Sequence, residues 1–334
     1  MSWCSPMTEL AAESVCPLCG SASTPRPSWL GATRHDGAVF TYHDCANCGS
    51  IFLSPMPSSD QLAALYSADY GHDTEAVSFG ALGGRFARLL SFLASSSPGR
   101  LLDVGCADGH VLELLHERGW RVEGLESQEE VAAATRLRTG LPVATSTDQL
   151  MLGPYDFIFL GDVLEHLPEP APFLVHLITL LGPNGRIIAQ GPLEAEPTLF
   201  LRVMKMGRHI RRQPIADMAP FHVSLSTCRG QSDLFARVGL QTVQLTTVEA
   251  PWPAPGTLSD IHGAREALLF ALHKISYFIP NRVVHSSGNR YFYVGSVQAV
   301  HSPVPPTEFN GWRRLFDRRT TVNSRFRHSP ARST

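Results

Sequence analysis

From Leu101 onward, short apolar runs alternate with amphipathic stretches. The runs at 100–104, 121–125, about 141–145, 155–160 and 185–190 read as buried strands. The 3.6-residue spacing of apolar positions between them predicts helices near 110–118, 128–138 and 170–181. In the first of these, Val111, Leu112, Leu114 and Leu115 fall on one side. Such alternation implies parallel β-α-β crossovers with helices on both faces. Two further strands, 240–250 and 290–300, flank a predicted helix from about 259 to 278. The expected fold class is therefore α/β, a Rossmann-like sheet of seven strands covered on both faces.

The chain before this core has a different texture. Residues 1–13 read as a loose leader within a cysteine-rich module that spans 1–60 and ends in a proline-rich stretch near Pro57. Ser58 or Ser59 would cap a helix carrying Leu62, Leu65 and Tyr66, which opens a helical linker over 61–84. The α/β core would occupy 85–300, with a helix around 85–94 leading in. The arginine-rich segment 301–334 has little apolar patterning and reads as a disordered tail. Between the fifth strand and His222 lies an insertion, 195–220. There Leu199, Val203, Met204 and Met206 alternate with Arg202, Lys205, Arg208, Arg211 and Arg212, an amphipathic pattern able to cover a site. Its basic face suits phosphates, and a solvated charged face is an equal reading.

Cysteine spacing adds chemistry to the first module. Cys16-x-x-Cys19-Gly and Cys45-x-x-Cys48-Gly are two knuckle turns, to be held by metal rather than disulfides in a reducing compartment. Four thiolates would close a tetrahedral site with no open position, so the expected ion is a structural Zn2+. Cys106 and Cys228 stand apart from these pairs and are expected to pack.

Composition narrows the class. In 334 residues, 43% hydrophobic and 17% charged content fits a globular domain with a sizeable core. A net charge of −2 gives no whole-chain basic field, which disfavours nucleic acid as a partner. No apolar run is long enough to span a bilayer, and the N-terminus lacks the basic and apolar regions of a signal peptide. A cytoplasmic setting is the default expectation. Oligomeric state is not legible.

The turn after the first core strand, Gly105-Cys106-Ala107-Asp108-Gly109, departs from the G-x-G-x-x-G dinucleotide pattern. Glu126 closes the next strand, where a carboxylate suits the two hydroxyls of a ribose. Asp103, before the turn, could meet a cationic group. A nucleoside with a positively charged extension, such as S-adenosylmethionine, answers that description. At this point "LLDVGCADG", "GLES" and "YDFIFLGDVLEHLPEP" together resemble the class I S-adenosylmethionine-dependent methyltransferases, over roughly 85–300. The resemblance implies that Asp103, Gly105, Ala107 and Gly109 surround the methionine end, with Cys106 in the same turn. It places Glu126 on the ribose, Ser127, Thr147 and Asp148 near the adenine, and Asp162 beside the cofactor. Ala107 stands where that family usually has glycine.

A sulfonium methyl is already activated, so catalysis needs an in-line nucleophile and a base. Loops after the fourth and fifth strands offer Asp162, Glu165, His166, Glu194 and His222. His222, in "PFHVSLSTCRG", resembles a substrate-facing histidine of related small-molecule enzymes, and His222, Glu194 and His166 are the expected catalytic residues. The order of cysteine module and core resembles bacterial sugar C-methyltransferases and the methyltransferases of polysaccharide and natural-product clusters. A small-molecule acceptor, such as a nucleotide-linked sugar or secondary metabolite methylated at O or C, follows from that. A zinc module ahead of such a core also resembles certain ribosomal RNA guanine methyltransferases, so an RNA acceptor stays open as the alternative.

Overall fold

The structure, a computed structural model, describes residues 14–24, 26–35, 37–58, 60–62, 86–199, 201–202, 205–206, 216–217, 220–249, 263–282 and 288–297. The leader, most of the 61–84 linker, Arg208, Arg211 and Arg212 of the insertion, and the 301–334 tail lie outside the described residues.

The N-terminal part forms strands β1 (Ser14–Val15), β2 (Ala22–Ser23), β3 (Arg26–His35), β4 (Ala38–Asp44) and β5 (Ile51–Leu53). Ser58 and Gln61 then exchange backbone-to-side-chain hydrogen bonds of 2.9 and 3.3 Å, a capping box that settles which serine starts the helical turn. Next come α1 (Ala87–Leu93), β6 (Arg100–Val104), α2 (His110–His116), β7 (Arg121–Leu125), α3 (Glu129–Thr139), β8 (Val143–Ala144), β9 (Tyr155–Gly161), α4 (Pro170–Thr179) and β10 (Leu181–Pro192). The chain continues through β11 (Ala216–Asp217), β12 (Ser224–Leu225), α5 (Cys228–Arg237), β13 (Leu240–Val248), α6 (Ala264–Arg282) and β14 (Arg290–Val297). The strands and helices expected in the core are all present. The last helix ends later than its apolar spacing suggested, the expected positions 259–262 lying outside the described residues, and β10 is longer because it pairs along both edges.

Seven strands form one mixed sheet in the order β13-β14-β10-β9-β6-β7-β8, with β14 antiparallel to both neighbours. Alternate residues on each strand face opposite layers. Leu102, Ile158, Ile187 and Tyr293 join one core, beneath α4 and α5. Leu101, Phe159, Ile188 and Phe292 join the other, beneath α1, α2 and α3. Strand order reverses between β6 and β9, the switch point at which α/β sheets open a crevice at their carboxyl edge.

A second sheet of five strands, β11-β3-β4-β5-β12, surrounds the cysteine knuckles. Two of its strands come from far along the chain. β11 pairs in parallel with β3, and β12 pairs antiparallel with β5, Ser224 opposite Phe52. The expected module over 1–60 thus recruits residues that follow β10. Cys16, Leu18, Cys45, Cys48 and Phe52 share one buried cluster with the sheet core.

Thr227 joins the two sheets. Its hydroxyl caps α5 by accepting from Gly230 N at 3.0 Å and donates to Cys48 O at 2.7 Å. Its own N–H donates to Ser50 Oγ at 3.1 Å. Thr227→Val keeps the shape and removes the cap and the link together. We expect it to cost about 2 kcal/mol of stability, read from urea unfolding midpoints at unchanged m-value.

Candidate active site

Two groups of polar residues stand at the carboxyl edge of the large sheet. The first surrounds the glycine turn. Gly105 and Cys106 N–H both donate to Leu125 O, at 2.7 and 3.3 Å, folding the turn back on β7. Glu126, buried at the end of β7, accepts from Ala107 N at 3.1 Å on one oxygen. On the other it accepts from Gln128 N at 3.0 Å and Ser127 Oγ at 3.2 Å. Gly109 opens α2 in the left-handed region, φ 79°, and a Cβ there would come within 2.6 Å of Thr135 Cγ2. Ala107 is also left-handed, φ 46°. Glu126 on its N–H and Thr135 Oγ1, which donates to its carbonyl at 2.6 Å, hold it there. That pair of bonds offsets the roughly 1–2 kcal/mol that a non-glycine residue loses in this conformation.

The structure brings Asp103, Gly105, Ala107, Gly109, Glu126 and Ser127 together around this turn. Cys106 lies in it too, but its side chain is packed into the core between sheet and helices. Burial raises that thiol's pKa, and the nearby carboxylates add to the effect. Thr147 and Asp148 lie on a 3-10 turn that follows β8, and Thr147 Oγ1 meets His176 Nε2 at 3.0 Å. Burial, then the charges of Glu126 and Asp108, push the Asp103 carboxyl well above the usual range. A positive charge beside the turn would relieve the repulsion that raises Asp103, so a cationic ligand is favourable there. The donor set therefore fits S-adenosylmethionine: Glu126 would take the ribose hydroxyls, and the Asp103 end would face the charged methionine part.

The second group lies after β9 and β10. Asp162, left-handed at φ 58°, ends β9 and is ion-paired with Arg290 at the start of β14. Glu165 and His166 sit on the 3-10 turn that follows. Glu194 comes from the loop after β10 and His222 from the segment before β12. His222 Nδ1 lies 2.6 Å from Glu194 Oε2, and both side chains are about one-third exposed, at 33% and 32%. His166 Nδ1 donates to Phe221 O at 2.9 Å, which fixes its tautomer with Nε2 as acceptor. The two imidazole rings meet edge to face at 4.7 Å. His222 thus contacts both of the other residues expected to be catalytic, Glu194 and His166.

Their electrostatics differ by environment. Burial, then the His222 charge, lowers His166 to about 4, so it is neutral at physiological pH. Burial also pulls His222 down, but the Glu194 hydrogen bond and charge, with Glu165 and Asp162 behind it, more than offset this and leave it raised. Burial, then the Asp162 charge, pushes Glu165 up to about 8, so that it is a neutral acid able to donate. Glu165 Oε1 and Tyr291 Oη, both buried, have no hydrogen-bond partner among the described residues. Glu165, His166 and His222 present atoms within 4.8 Å of one another, close enough to share a cation. The neutralisation of Glu165 works against that use.

The knuckles repeat one geometry. Gly20 N and Gly49 N donate to Cys16 O and Cys45 O at 2.9 and 3.0 Å, and both glycines are left-handed. Cys16 and Cys48 sulfurs are 3.9 Å apart, and those of Cys19 and Cys45 are 3.6 Å apart. A tetrahedron with Zn–S bonds of about 2.3 Å has edges of about 3.8 Å. The Cys16–Cys48 contact acts in opposite directions on the two thiols, lowering Cys48 and raising Cys16, as expected of sulfurs that face one another. The four cysteines fit zinc.

Comparison with known proteins agrees with the geometry of the turn. The family described as a methyltransferase domain matches residues 79–245, half of the 334-residue chain. The chain belongs to that methyltransferase family. A ubiquinone biosynthesis O-methyltransferase of Aeromonas salmonicida (strain A449) is 32% identical over 114 residues, covering 31% of this chain and 48% of that protein. One from Caulobacter vibrioides (strain ATCC 19089 / CIP 103742 / CB 15) is 25% identical over 163 residues, 39% and 65% of the two chains. The chain spans about half the length of the curated relatives it matches. Among solved structures, a SAM-dependent methyltransferase from Archaeoglobus fulgidus covers 66% of this chain, and 94% of its own, at 18% identity and a TM-score of 0.42. A magnesium protoporphyrin IX methyltransferase from Synechocystis PCC 6803 covers 72% of this chain, and 93% of its own, at 15% identity and a TM-score of 0.41.

Within this methyltransferase site, sequence reasoning missed Arg290, Tyr291 and Tyr42. The first two begin an apolar strand and the third sits in the cysteine module, so none carried a motif. For the turn, Glu126→Ala should weaken S-adenosylmethionine binding at least tenfold, because the ribose hydroxyls and Ala107 N–H both lose an acceptor. Isothermal calorimetry reads this directly, and an unchanged Kd would remove Glu126 from the cofactor site.

Proposed function

We propose that this chain transfers the methyl group of S-adenosylmethionine to a small molecule, a nucleotide-linked sugar or a secondary metabolite, at oxygen or carbon. The observation that carries this reading is the 2.6 Å pair of His222 Nδ1 and Glu194 Oε2, partly exposed at the sheet edge beside Asp162. When bound, the cofactor supplies a methyl already activated by its sulfonium. The chain's own residues then need to hold the acceptor and take one proton. Glu194 keeps His222 Nδ1 protonated, so Nε2 is the basic nitrogen, and its charge stabilises the imidazolium that forms. His222 removes the proton from a hydroxyl, or from a carbon next to a carbonyl. Neutral Glu165 is a buried donor for an oxygen of the acceptor. The likeness to O-methyltransferases supports an oxygen acceptor, and the order of cysteine module and core supports a sugar. The four cysteines hold structural zinc in this reading, with the 1–60 module and the 85–300 core working as one unit.

Incubation with methyl-labelled S-adenosylmethionine tests the acceptor class. Label should enter a small-molecule extract rich in nucleotide sugars. Label in total RNA instead would overturn the small-molecule reading. Freshly purified, reduced protein should contain about one zinc per chain by metal analysis, and none in the Cys48→Ser variant.

The pH dependence has a definite sign. Neutral His222 is the working form, and its pKa is raised, so the rate should climb as pH rises through a value above the usual ~6.5. In Glu194→Gln the raising charge is gone while burial still lowers the imidazole, so this limb should move to lower pH. His222→Ala should lose about a hundredfold or more in kcat at unchanged cofactor affinity. Wild-type turnover in that variant would remove the base.

A further inference from the structure

Three residues, Phe221 to Val223, are held from both sides. On the side of the large sheet, His166 Nδ1 donates to Phe221 O at 2.9 Å and Val223 N donates to Glu165 O at 3.0 Å. On the side of the cysteine module, Leu53 N donates to Val223 O at 3.0 Å and Tyr42 Oη donates to His222 O at 3.2 Å. Phe221 and Val223 pack in the module's small core with Phe40, Tyr42, Leu53 and Leu62, while the His222 side chain between them meets Glu194.

Tyr42 is a module side chain whose polar atom reaches this backbone. It stands on β4 opposite Leu53 on β5. The turn of that hairpin is the Cys45–Cys48 knuckle, so the metal-binding turn sets the register that puts Tyr42 and Leu53 side by side. Burial, and then the Glu194 charge, raise the Tyr42 phenol to about 12, so it stays protonated and remains a donor next to the pair.

We propose that Tyr42 is a positioning residue for the His222–Glu194 pair, and that the cysteine module is thereby the back wall of the active site. The inference rests on the reading of His222 as the base, but it concerns where the imidazole is held, which can be measured without turnover. The groups facing His222 are Glu194 after β10, Glu165 and His166 on the 3-10 turn, Asp162 at the end of β9, and Tyr42 on β4. Tyr42→Phe keeps the ring in the small core and removes only the donor. A loosened His222 spends less time against Glu194, and its titration falls back toward that of a free histidine.

The experiment uses the full zinc-loaded chain with isotopically labelled histidine. NMR follows the His222 ring through a pH titration in wild type and Tyr42→Phe, and label transfer to the small-molecule extract is timed for both. We expect a downward shift of the His222 midpoint and a transfer rate lower by about ten- to a hundredfold, with zinc content and cofactor affinity unchanged. An unmoved midpoint at wild-type rate overturns the positioning role. If the midpoint moves while His222→Ala turns over normally, the positioning stands and the general-base reading fails. If the midpoint is fixed while His222→Ala is inactive, the base stands and Tyr42 does not position it.

Discussion

Main-chain and side-chain hydrogen bonds along residues 221–227 tie the two sheets into one framework. β12 donates and accepts along β5, Val223 bridges Leu53 and Glu165, and Thr227 reaches Cys48 and Ser50. Backbone groups buried in such a place must be paired, so neither sheet can shift without breaking bonds that water does not replace. The knuckle cysteines therefore share one core with the large sheet instead of hanging from it as a separate bead. The candidate site is built onto this join, because His222 lies within it.

Electrostatics then divide labour among residues of like chemistry. His166 and His222 touch, yet burial makes one neutral and a carboxylate partner makes the other readily charged. Glu165 and Glu194 both face His222, yet the buried one is held as an acid while the partly exposed one is the imidazole's partner. Opposed shifts of neighbouring groups are how one fold provides a donor and an acceptor at the same pH. At the glycine turn the carboxylates serve another end. Glu126 accepts from Ala107, Ser127 and Gln128 with acceptor capacity to spare, and so shapes the loop that would receive the cofactor.

The left-handed Ala107 shows how local cost is absorbed. A position that favours glycine is kept by an alanine because its N–H and carbonyl are both fixed by buried partners, Glu126 and Thr135.

Much of this was legible in the chain itself. Short apolar runs and the helical spacing of apolar positions between them determined the order of strands and helices, because each apolar position must find a layer to face. The glycine turn, Glu126 and the paired cysteines announced their chemistry through spacing, since these groups act through neighbouring backbone. What the sequence did not reveal are the contacts between segments far apart along the chain: β12 on β5, His222 with Glu194, Arg290 with Asp162, and Tyr42 behind His222. Tertiary structure decided those, and with them which histidine is raised and which lowered, and which glutamate is held as an acid, because burial and partner distance exist only once the chain has closed on itself.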